Sequence, residues 1–157
     1  MCGFVSVIKS PNTRDFVKIF KNLKNINKHR GPDSIKILKE KKYLILFRRL
    51  SIIDVSKTAN QPFEDSEKKI RLIFNGEIYN YIEIKKTLEN NGFIFNTNSD
   101  TEVVLNSLIY WGIDAVKKFN GMFAFIFYDV DKNEIIFCRD RYGIKPIYYY
   151  QDSDFFA

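Results

Sequence analysis

Residues 122–129, with the sequence MFAFIFYD, are apolar at nearly every position. Side chains of a β-strand alternate between two faces, so a strand with one solvated face would alternate apolar and polar residues. An unbroken apolar run instead predicts a strand covered on both faces, as in sheets enclosed by helical layers. A second apolar run at residues 134–138 (EIIFC) predicts a hairpin partner across residues 130–133.

The same reasoning, carried outward along the chain, predicts the remaining elements. Strands are expected at residues 3–8, 35–39, 43–48, 50–54, 70–75 and 147–150. Helices are expected at residues 14–28, 79–91 and 99–111, the last of which opens on the capping-box pattern Ser99-Asp100-Thr101-Glu102. About eight or nine strands with three helices predict an α+β fold.

The composition is that of an ordinary globular domain. The chain has 157 residues, of which 45% are hydrophobic and 28% charged, and this length is typical of one domain with its own core. Cys2, Cys138 and the single His29 form no disulfide or zinc pattern, so no metal site is expected. No leader or membrane span is expected either, and the predicted compartment is a reducing cytoplasm.

The net charge of +6 leaves a basic nucleic-acid-binding module as one alternative. Several of the lysines recur at the spacing of one solvated helix face, namely Lys18, Lys21, Lys24 and Lys28. Because no recognition motif accompanies them, we favour the solvated face and expect no nucleic-acid partner.

Cys2 is a candidate nucleophile. Removal of Met1 would leave a residue that carries both a thiol and a free α-amine, and such an amine can accept the thiol proton near neutral pH. A buried structural cysteine is the alternative. His29, the only histidine, lies in the turn-rich segment His29-Arg30-Gly31-Pro32-Asp33, which favours a loop-shaping role over a catalytic one.

Asn75-Gly76 follows an apolar strand and precedes a helical pattern. An Asn-Gly pair is typical of a hairpin turn, but the helical pattern after it weakens that interpretation. The functional alternative is an oxyanion hole at the end of the strand, formed by the Asn75 amide and the Gly76 backbone N–H.

Arg49 and Asp100 have the charges that a free amino acid requires. An arginine fork suits an α-carboxylate and a carboxylate suits an α-ammonium group. Each residue alone could instead be a surface charge or a helix cap.

Together these segments resemble class II glutamine amidotransferases, and more narrowly the glutaminase domain of glutamine-hydrolysing asparagine synthetases. The matching motifs, in chain order, are Cys2-Gly3, HRGPD at 29–33, RLSIID at 49–54, Gln61-Pro62, NGEIYN at 75–80, SDTE at 99–102, NGMFAF at 120–125 and RDRYGIKP at 139–146.

The resemblance implies a four-layer αββα sandwich of the N-terminal-nucleophile hydrolase type, with two mainly antiparallel sheets between helical layers. It also implies Cys2 as the nucleophile, with Asn75 and Gly76 stabilising the oxyanion. The residues that it implies for binding glutamine are Arg49, Leu50, Ile52, Ile53, Asn75, Gly76, Glu77 and Asp100.

The same resemblance implies a domain over residues 2–157 that continues beyond this chain into a synthetase domain. No cofactor is expected in the glutaminase domain, whereas ATP and Mg are expected in the synthetase domain. L-glutamine and that synthetase domain are the expected partners, and a homodimer is compatible with the pattern. Amidation of another carboxylate, such as a sugar acid, and a non-catalytic glutamine-sensing domain are the functional alternatives.

Overall fold

The computed structural model describes residues 2–9, 27–65, 67 and 69–157. The chain divides into two compact units, one formed by Met1–Leu50 with Ile147–Ala157 and the other by Ser51–Pro146. The strands of the described residues are β1 (Gly3–Lys9), β2 (Ser34–Lys39), β3 (Tyr43–Arg49), β4 (Phe63–Asp65), β5 (Ile70–Ile78), β6 (Gly121–Asp129), β7 (Glu134–Arg139) and β8 (Phe155–Phe156). The α-helices are α1 (Tyr81–Asn90) and α2 (Asp100–Trp111), and short 3-10 helices cover Lys28–Arg30, Lys57–Ala59 and Gly112–Lys118.

The first unit contains an antiparallel sheet with the strand order β2-β3-β1-β8. β3 lies between two neighbours, and its first five residues are all buried. β2 is at the edge and is largely exposed. Strand β1 pairs with β3 so that Gly3 is opposite Arg48, which places the N-terminal end of β1 beside the C-terminal end of β3.

The second unit contains an antiparallel sheet with the order β4-β5-β6-β7 and both α-helices. One face of this sheet carries alternate side chains of β5 and β6, which form a core with apolar residues of α1 and α2. The core members from the sheet include Ile70, Leu72, Phe74, Ile78, Phe123, Phe125 and Phe127. Intervening residues such as Ile73 and Ala124 are also buried, as the apolar run at 122–129 predicts.

Most predicted strands are confirmed, including those at 3–8, 35–39, 43–48, 122–129 and 134–138. Helices at 79–91 and 99–111 are confirmed as α1 and α2, and Gly92 and Gly112 both take the positive φ expected of helix stops. The predicted helix at 14–28 lies almost wholly outside the described residues.

Two predicted strands are wrong. At 50–54 the chain turns instead, because the Asp54 carboxylate accepts the backbone N–H groups of Ser56 (2.8 Å) and Asn98 (3.0 Å). At 147–150 no strand forms, since the place beside β1 is taken by β8, whose Phe156 is opposite Ile8.

The motif at 139–146 folds around the buried side chain of Asp140. Its carboxylate accepts four backbone N–H groups, from Phe123 (3.1 Å), Tyr142 (3.1 Å), Ile144 (2.9 Å) and Lys145 (2.9 Å). Burial alone would raise the pKa of Asp140, but these bonds together outweigh it and hold the pKa below its usual value. The carboxylate therefore fastens this loop to the start of β6.

We expect Asp140→Asn to lower the free energy of unfolding by about 1.5–3 kcal/mol, because an amide places an NH₂ group against some of these donors. A depressed pKa gives stability that is full above the unfolded value and is lost as pH falls through the lower folded value. The difference between variant and wild type should therefore narrow as pH falls below about 4. Urea unfolding at pH 7 and pH 3 measures both, with the exposed Asp131→Asn as control. Equal stability of Asp140→Asn and wild type at pH 7 would contradict the assignment.

Candidate functional site

Cys2 lies immediately before β1, and its half-buried thiol is fixed by the backbone of Leu50. The Leu50 N–H donates to Cys2 Sγ at 3.4 Å, and Sγ is 3.5 Å from the Leu50 carbonyl oxygen. The pairing of Gly3 with Arg48 brings these chain segments together. These two contacts with one backbone residue fix the position of Sγ.

Close backbone approach around Cys2 depends on two glycines. A Cβ on Gly3 would lie 2.8 Å from Arg30 Cβ, and a Cβ on Gly31 would lie 2.5 Å from the Arg48 carbonyl carbon. The segment at 29–33 is thus packed onto the ends of β1 and β3, and Asp33 N–H donates to the Arg49 carbonyl at 3.1 Å. His29 is exposed within this segment, and its loop-shaping role remains a prediction.

The predicted glutamine-binding residues of segment 49–54 lie in different surroundings. Arg49, the last residue of β3, is buried, with 6% of its surface exposed. Leu50 is half-buried beside the thiol, whereas Ile52 and Ile53 are exposed on the turn that follows. The bond from Asn98 to Asp54 ties this turn to the segment that leads into α2.

Asn75 and Gly76 lie inside β5, and neither a hairpin turn nor a strand end occurs there. β5 continues to Ile78, with Asn75 opposite Ala124 and Gly76 opposite Phe123 of β6. The prediction that the pair ends a strand was therefore wrong. What ends near it is the neighbouring strand, because the pairing of β4 with β5 extends only to Phe63 opposite Leu72.

On the edge of β5 beyond the end of β4, three alternate residues direct their backbone N–H groups outward, namely Phe74, Gly76 and Ile78. Val130 N–H donates to the Lys69 carbonyl and Tyr79 N–H to the Asn120 carbonyl, so odd-numbered residues bond β6 and even-numbered ones point away from it. On that outer side, Gln61 Oε1 accepts the Phe74 N–H (2.6 Å) and Asp100 Oδ2 accepts the Ile78 N–H (3.0 Å).

Gly76 lies midway between these two bonded positions. Its N–H points outward on the same edge and has no acceptor among the described residues. A Cβ at this position would lie 2.6 Å from Phe123 Cα, so only glycine fits the pairing with β6. An unpaired backbone donor at a fixed position is what an oxyanion hole requires.

The side chains of Asn75 and Glu77 are on the sheet face opposite the helical core, since the core takes the even-numbered residues of β5. Asn75 is 8% exposed, and its amide has no hydrogen-bond partner among the described residues. The second unit thus brings together the Asn75 amide, the Gly76 N–H, Glu77 and Asp100.

Asp100 is buried at the first turn of α2, with 4% of its surface exposed. Burial raises its pKa to about 6, and the charge of Glu77 adds to this, against the bonds from the Ile78 and Thr101 N–H groups. No lysine or arginine of the described residues forms an ion pair with it. Its negative charge therefore lacks a cation, which suits a site for an ammonium group.

The capping box is only half formed. Ser99 Oγ accepts the Thr101 N–H (3.2 Å) as an N-cap, but the Glu102 carboxylate bonds the N–H groups of Asn96 (2.9 Å) and Thr97 (2.7 Å). The Asp100 carboxylate, in the first turn of the same helix, bonds β5 through the Ile78 N–H.

Gln61 has no predicted role, and its place in the Gln61-Pro62 motif is the one signal that the sequence offers for it. Within the described residues, no cluster of three or more His, Cys, Asp or Glu side chains could hold a metal ion. The helices among those residues include none that is long and apolar enough to cross a membrane.

Comparison with solved structures defines the fold. The fold is similar to that of glutamine phosphoribosylpyrophosphate amidotransferase from Bacillus subtilis, with a TM-score of 0.64 at 19% identity over 98% of this chain and 34% of that one. A second structure, described as the allosteric regulatory enzyme of purine biosynthesis, gives the same TM-score at 20% identity over 96% of this chain and 34% of that one. The predicted α+β fold with two antiparallel sheets is confirmed, and it is the fold of these amidotransferase structures.

The family follows from sequence. The family model described as "Glutamine amidotransferase domain" matches residues 1–157, and the chain belongs to that family. It is 43% identical to asparagine synthetase [glutamine-hydrolyzing] 1 of Bacillus subtilis, over 98% of this chain and 25% of that protein. It is 40% identical to putative asparagine synthetase [glutamine-hydrolyzing] 2 of Methanocaldococcus jannaschii, over 99% of this chain and 33% of that protein. The chain thus spans a quarter to a third of these relatives' lengths.

The raised pKa of Asp100 predicts a pH-dependent cost to stability in the ligand-free protein. A pKa raised from 3.8 to about 6 means that the stabilising contribution is complete below pH 3.8 and is lost as pH rises through about 6. Relative to Asp100→Asn, which stays neutral, wild type should therefore lose about 1–3 kcal/mol of unfolding free energy between pH 4 and pH 8.

Urea unfolding between pH 4 and pH 8 checks this. The control is Asp114→Asn. Asp114 is exposed and a hydrogen bond from Lys117 lowers its pKa, so the effect of this substitution on stability should stay constant between pH 4 and pH 8. If the difference in unfolding free energy between wild type and Asp100→Asn stays constant from pH 4 to pH 8, the pKa of Asp100 is not raised by folding.

Proposed function

We propose that this chain hydrolyses L-glutamine to glutamate and ammonia, with Cys2 as the nucleophile. The observation that carries the proposal is the Cys2 thiol at the start of β1, with Sγ accepting the Leu50 N–H, in a chain of the glutamine amidotransferase domain family. A thiol in this position becomes a nucleophile with its own base once Met1 is removed, because the α-amine of Cys2 is then free.

The proposed reaction proceeds in two stages. The α-amine of Cys2 takes the thiol proton, and Sγ forms a bond to the side-chain amide carbon of glutamine while the carbonyl electron pair moves to oxygen. When the intermediate collapses, the C–N bond breaks and the departing nitrogen receives the proton, which gives ammonia and a γ-glutamyl thioester. Water then adds to the thioester, the C–S bond breaks, and glutamate and the thiol are released.

The negative charge on oxygen needs fixed donors, and we assign them to the Asn75 side-chain amide and the Gly76 N–H. Support comes from the edge of β5, where both groups have no partner among the described residues while the N–H groups of Phe74 and Ile78 on either side are bonded. Donors already held in place cost no reorganisation when the charge develops.

We assign glutamine recognition to two charged residues and to a set of mainly apolar residues around them. Arg49 would bind the α-carboxylate, since a buried guanidinium offers a planar fork to it. Asp100 would bind the α-ammonium group, which supplies the cation that its buried carboxylate lacks. Leu50, Ile52, Ile53 and Glu77 complete the proposed glutamine-binding set.

We further propose that residues 2–157 form the glutaminase domain of a larger asparagine synthetase, in which the released ammonia reaches a synthetase domain that acts on aspartate. The names of the relatives at 43% and 40% identity support this, and so does their greater length. Glutamine hydrolysis as proposed uses no cofactor, whereas ATP and Mg would serve the synthetase domain. A cytoplasmic enzyme, assembled as a homodimer, is consistent with this role.

Cys2→Ala should abolish glutamine hydrolysis and leave the fold intact, because only a sulfur atom is lost at a chain end. The matched control is Cys138→Ala. Burial, followed by the charge of Asp140, raises the pKa of the Cys138 thiol, so that cysteine stays protonated and should be dispensable. Ammonia release from glutamine is the measurement. Normal turnover by Cys2→Ala would refute the proposal, and glutamine binding without turnover by wild type would indicate a sensing domain.

Asn75→Ala and Arg49→Ala should separate turnover from binding. Loss of one oxyanion donor should lower kcat about 10²–10³-fold with little change in KM. Loss of Arg49 should instead raise KM, by roughly 10- to 150-fold, which corresponds to a charge-assisted hydrogen bond of about 1.5–3 kcal/mol. Steady-state kinetics with glutamine measures both. An Asn75→Ala protein with normal kcat and a raised KM would reassign Asn75 to substrate positioning.

A further inference from the structure

Gln61 makes two side-chain hydrogen bonds from a buried position, with 5% of its surface exposed. Oε1 accepts the Phe74 N–H at 2.6 Å, and Nε2 donates to Thr101 Oγ1 at 3.3 Å. The side chain therefore joins the outer edge of β5 to the first turn of α2.

The register of the sheet explains why a side chain is found there. Phe63 pairs with Leu72, and continuing that antiparallel register would place the backbone of residue 61 opposite Phe74 and that of residue 59 opposite Gly76. The strand β4 begins at Phe63, however, so no such backbone pairing occurs. The Gln61 carboxamide oxygen takes the place of the missing backbone carbonyl at Phe74.

The use of a side-chain oxygen in place of a backbone carbonyl at Phe74 also affects Gly76. Had the strand pairing continued, a backbone carbonyl at residue 59 would accept the Gly76 N–H and occupy it. Because Gln61 satisfies Phe74 with its side chain, the preceding chain is free to turn away, and Ala59 is buried in the helical core instead. The ladder ends without leaving Phe74 unbonded, and the Gly76 N–H stays available.

Two bonds from the start of α2 then bracket Gly76. Asp100 accepts the Ile78 N–H, and Thr101, the next residue, accepts the Gln61 amide that in turn holds Phe74. The strand is thereby fixed two residues before and two residues after Gly76. A donor held from both sides keeps its direction, and misplacement of a catalytic group by about 1 Å can cost roughly 10²-fold in rate.

We propose that Gln61 is a positioning residue for the oxyanion site, which ends the β4–β5 pairing and aims the Gly76 N–H at the substrate carbonyl oxygen. The inference rests on the proposed glutaminase function. It predicts that Gln61 acts on the transition state and not on glutamine binding, because neither of its bonds involves a residue assigned to the α-carboxylate or α-ammonium group.

The first test is Gln61→Met, which keeps the length of the side chain but neither hydrogen bond, compared with Gln61→Glu, which keeps an acceptor for Phe74. Gln61→Met should lower kcat by at least about tenfold with KM for glutamine within about twofold, and Gln61→Glu should recover much of the loss. Asn75→Ala added to Gln61→Met should cost less than the product of the two single effects, since both act on one site.

A second readout reports on the oxyanion directly. The γ-aldehyde of glutamate adds to a thiol reversibly and places an oxygen anion where the intermediate would have one. Its inhibition constant should rise with Gln61→Met by about the same factor as kcat falls, whereas that of glutamate, which forms no such adduct, should not change.

The outcomes are distinguishable. A wild-type chain that releases no ammonia from glutamine would remove the proposed function itself. Wild-type kcat and aldehyde affinity in Gln61→Met would overturn only the role of Gln61. Should Gln61→Met not fold, as shown by thermal unfolding, Thr101→Val decides, because it removes the Nε2 partner and keeps the Phe74 bond. Thr101→Val should lower kcat severalfold at constant KM, and an unchanged kcat with unchanged aldehyde affinity would overturn the proposal.

Discussion

The close pairing of β5 with β6 is the constraint on which the second unit depends. Gly76 and Gly121 lie across from Phe123 and Ile78, and a Cβ on either glycine would collide with the opposite backbone. Any larger residue would push the strands apart or shift their register. A shift of one residue would move the whole helical-core face of β5 to the other side of the sheet. The glycines therefore help to fix the register, and the register fixes the direction of every polar group on β5.

That register explains how two consecutive residues could serve the one anion of the proposed reaction. In a strand, side chains project from the faces while backbone N–H groups lie in the plane and alternate between the two edges. Asn75 offers its side chain from the face opposite the helical core, and its backbone bonds β6. Gly76 offers no side chain, and its backbone N–H faces the edge beyond β4. An oxygen near both groups needs an interrupted neighbour strand, which the pairing of β4 as far as Phe63 provides.

Much of this fold could be predicted from apolar patterning, because buried strands such as β3, β5 and β6 show it along their length. Errors arose where side chains compete with the sheet. Asp54 converts an apolar run into a turn, and Asp152 accepts the N–H groups of Asp154 and Phe155 just before β8. The end of β5 was placed too early because Asn-Gly is common in turns. Nothing local shows that the collision at Gly76 comes from Phe123, far along the chain.

The residues of the candidate site could be predicted from the sequence, but the hydrogen bonds that hold them in place could not. Cys2, Asn75 and Asp100 belong to sequence motifs, whereas the task of Gln61 exists only once β4 and β5 are in register. A residue of this kind stabilises the site by completing hydrogen bonds that the backbone leaves open.

The second unit also holds polar groups that no other described residue pairs. The buried Asp100 has no cation, and neither the Gly76 N–H nor the Asn75 amide has a partner among the described residues. For Asp100, burial of the charged carboxylate favours the unfolded chain, where water solvates it, and this raises its pKa. The core that β5 and β6 form with α1 and α2 holds the backbone in place around these groups. In the proposed function, bound glutamine would supply an ammonium group to Asp100 and a developing oxyanion to Gly76 and Asn75. The interactions missing from the free protein would thus be made with the substrate, and those with the oxyanion would strengthen only as the reaction proceeds, which is the condition for raising kcat and not merely affinity.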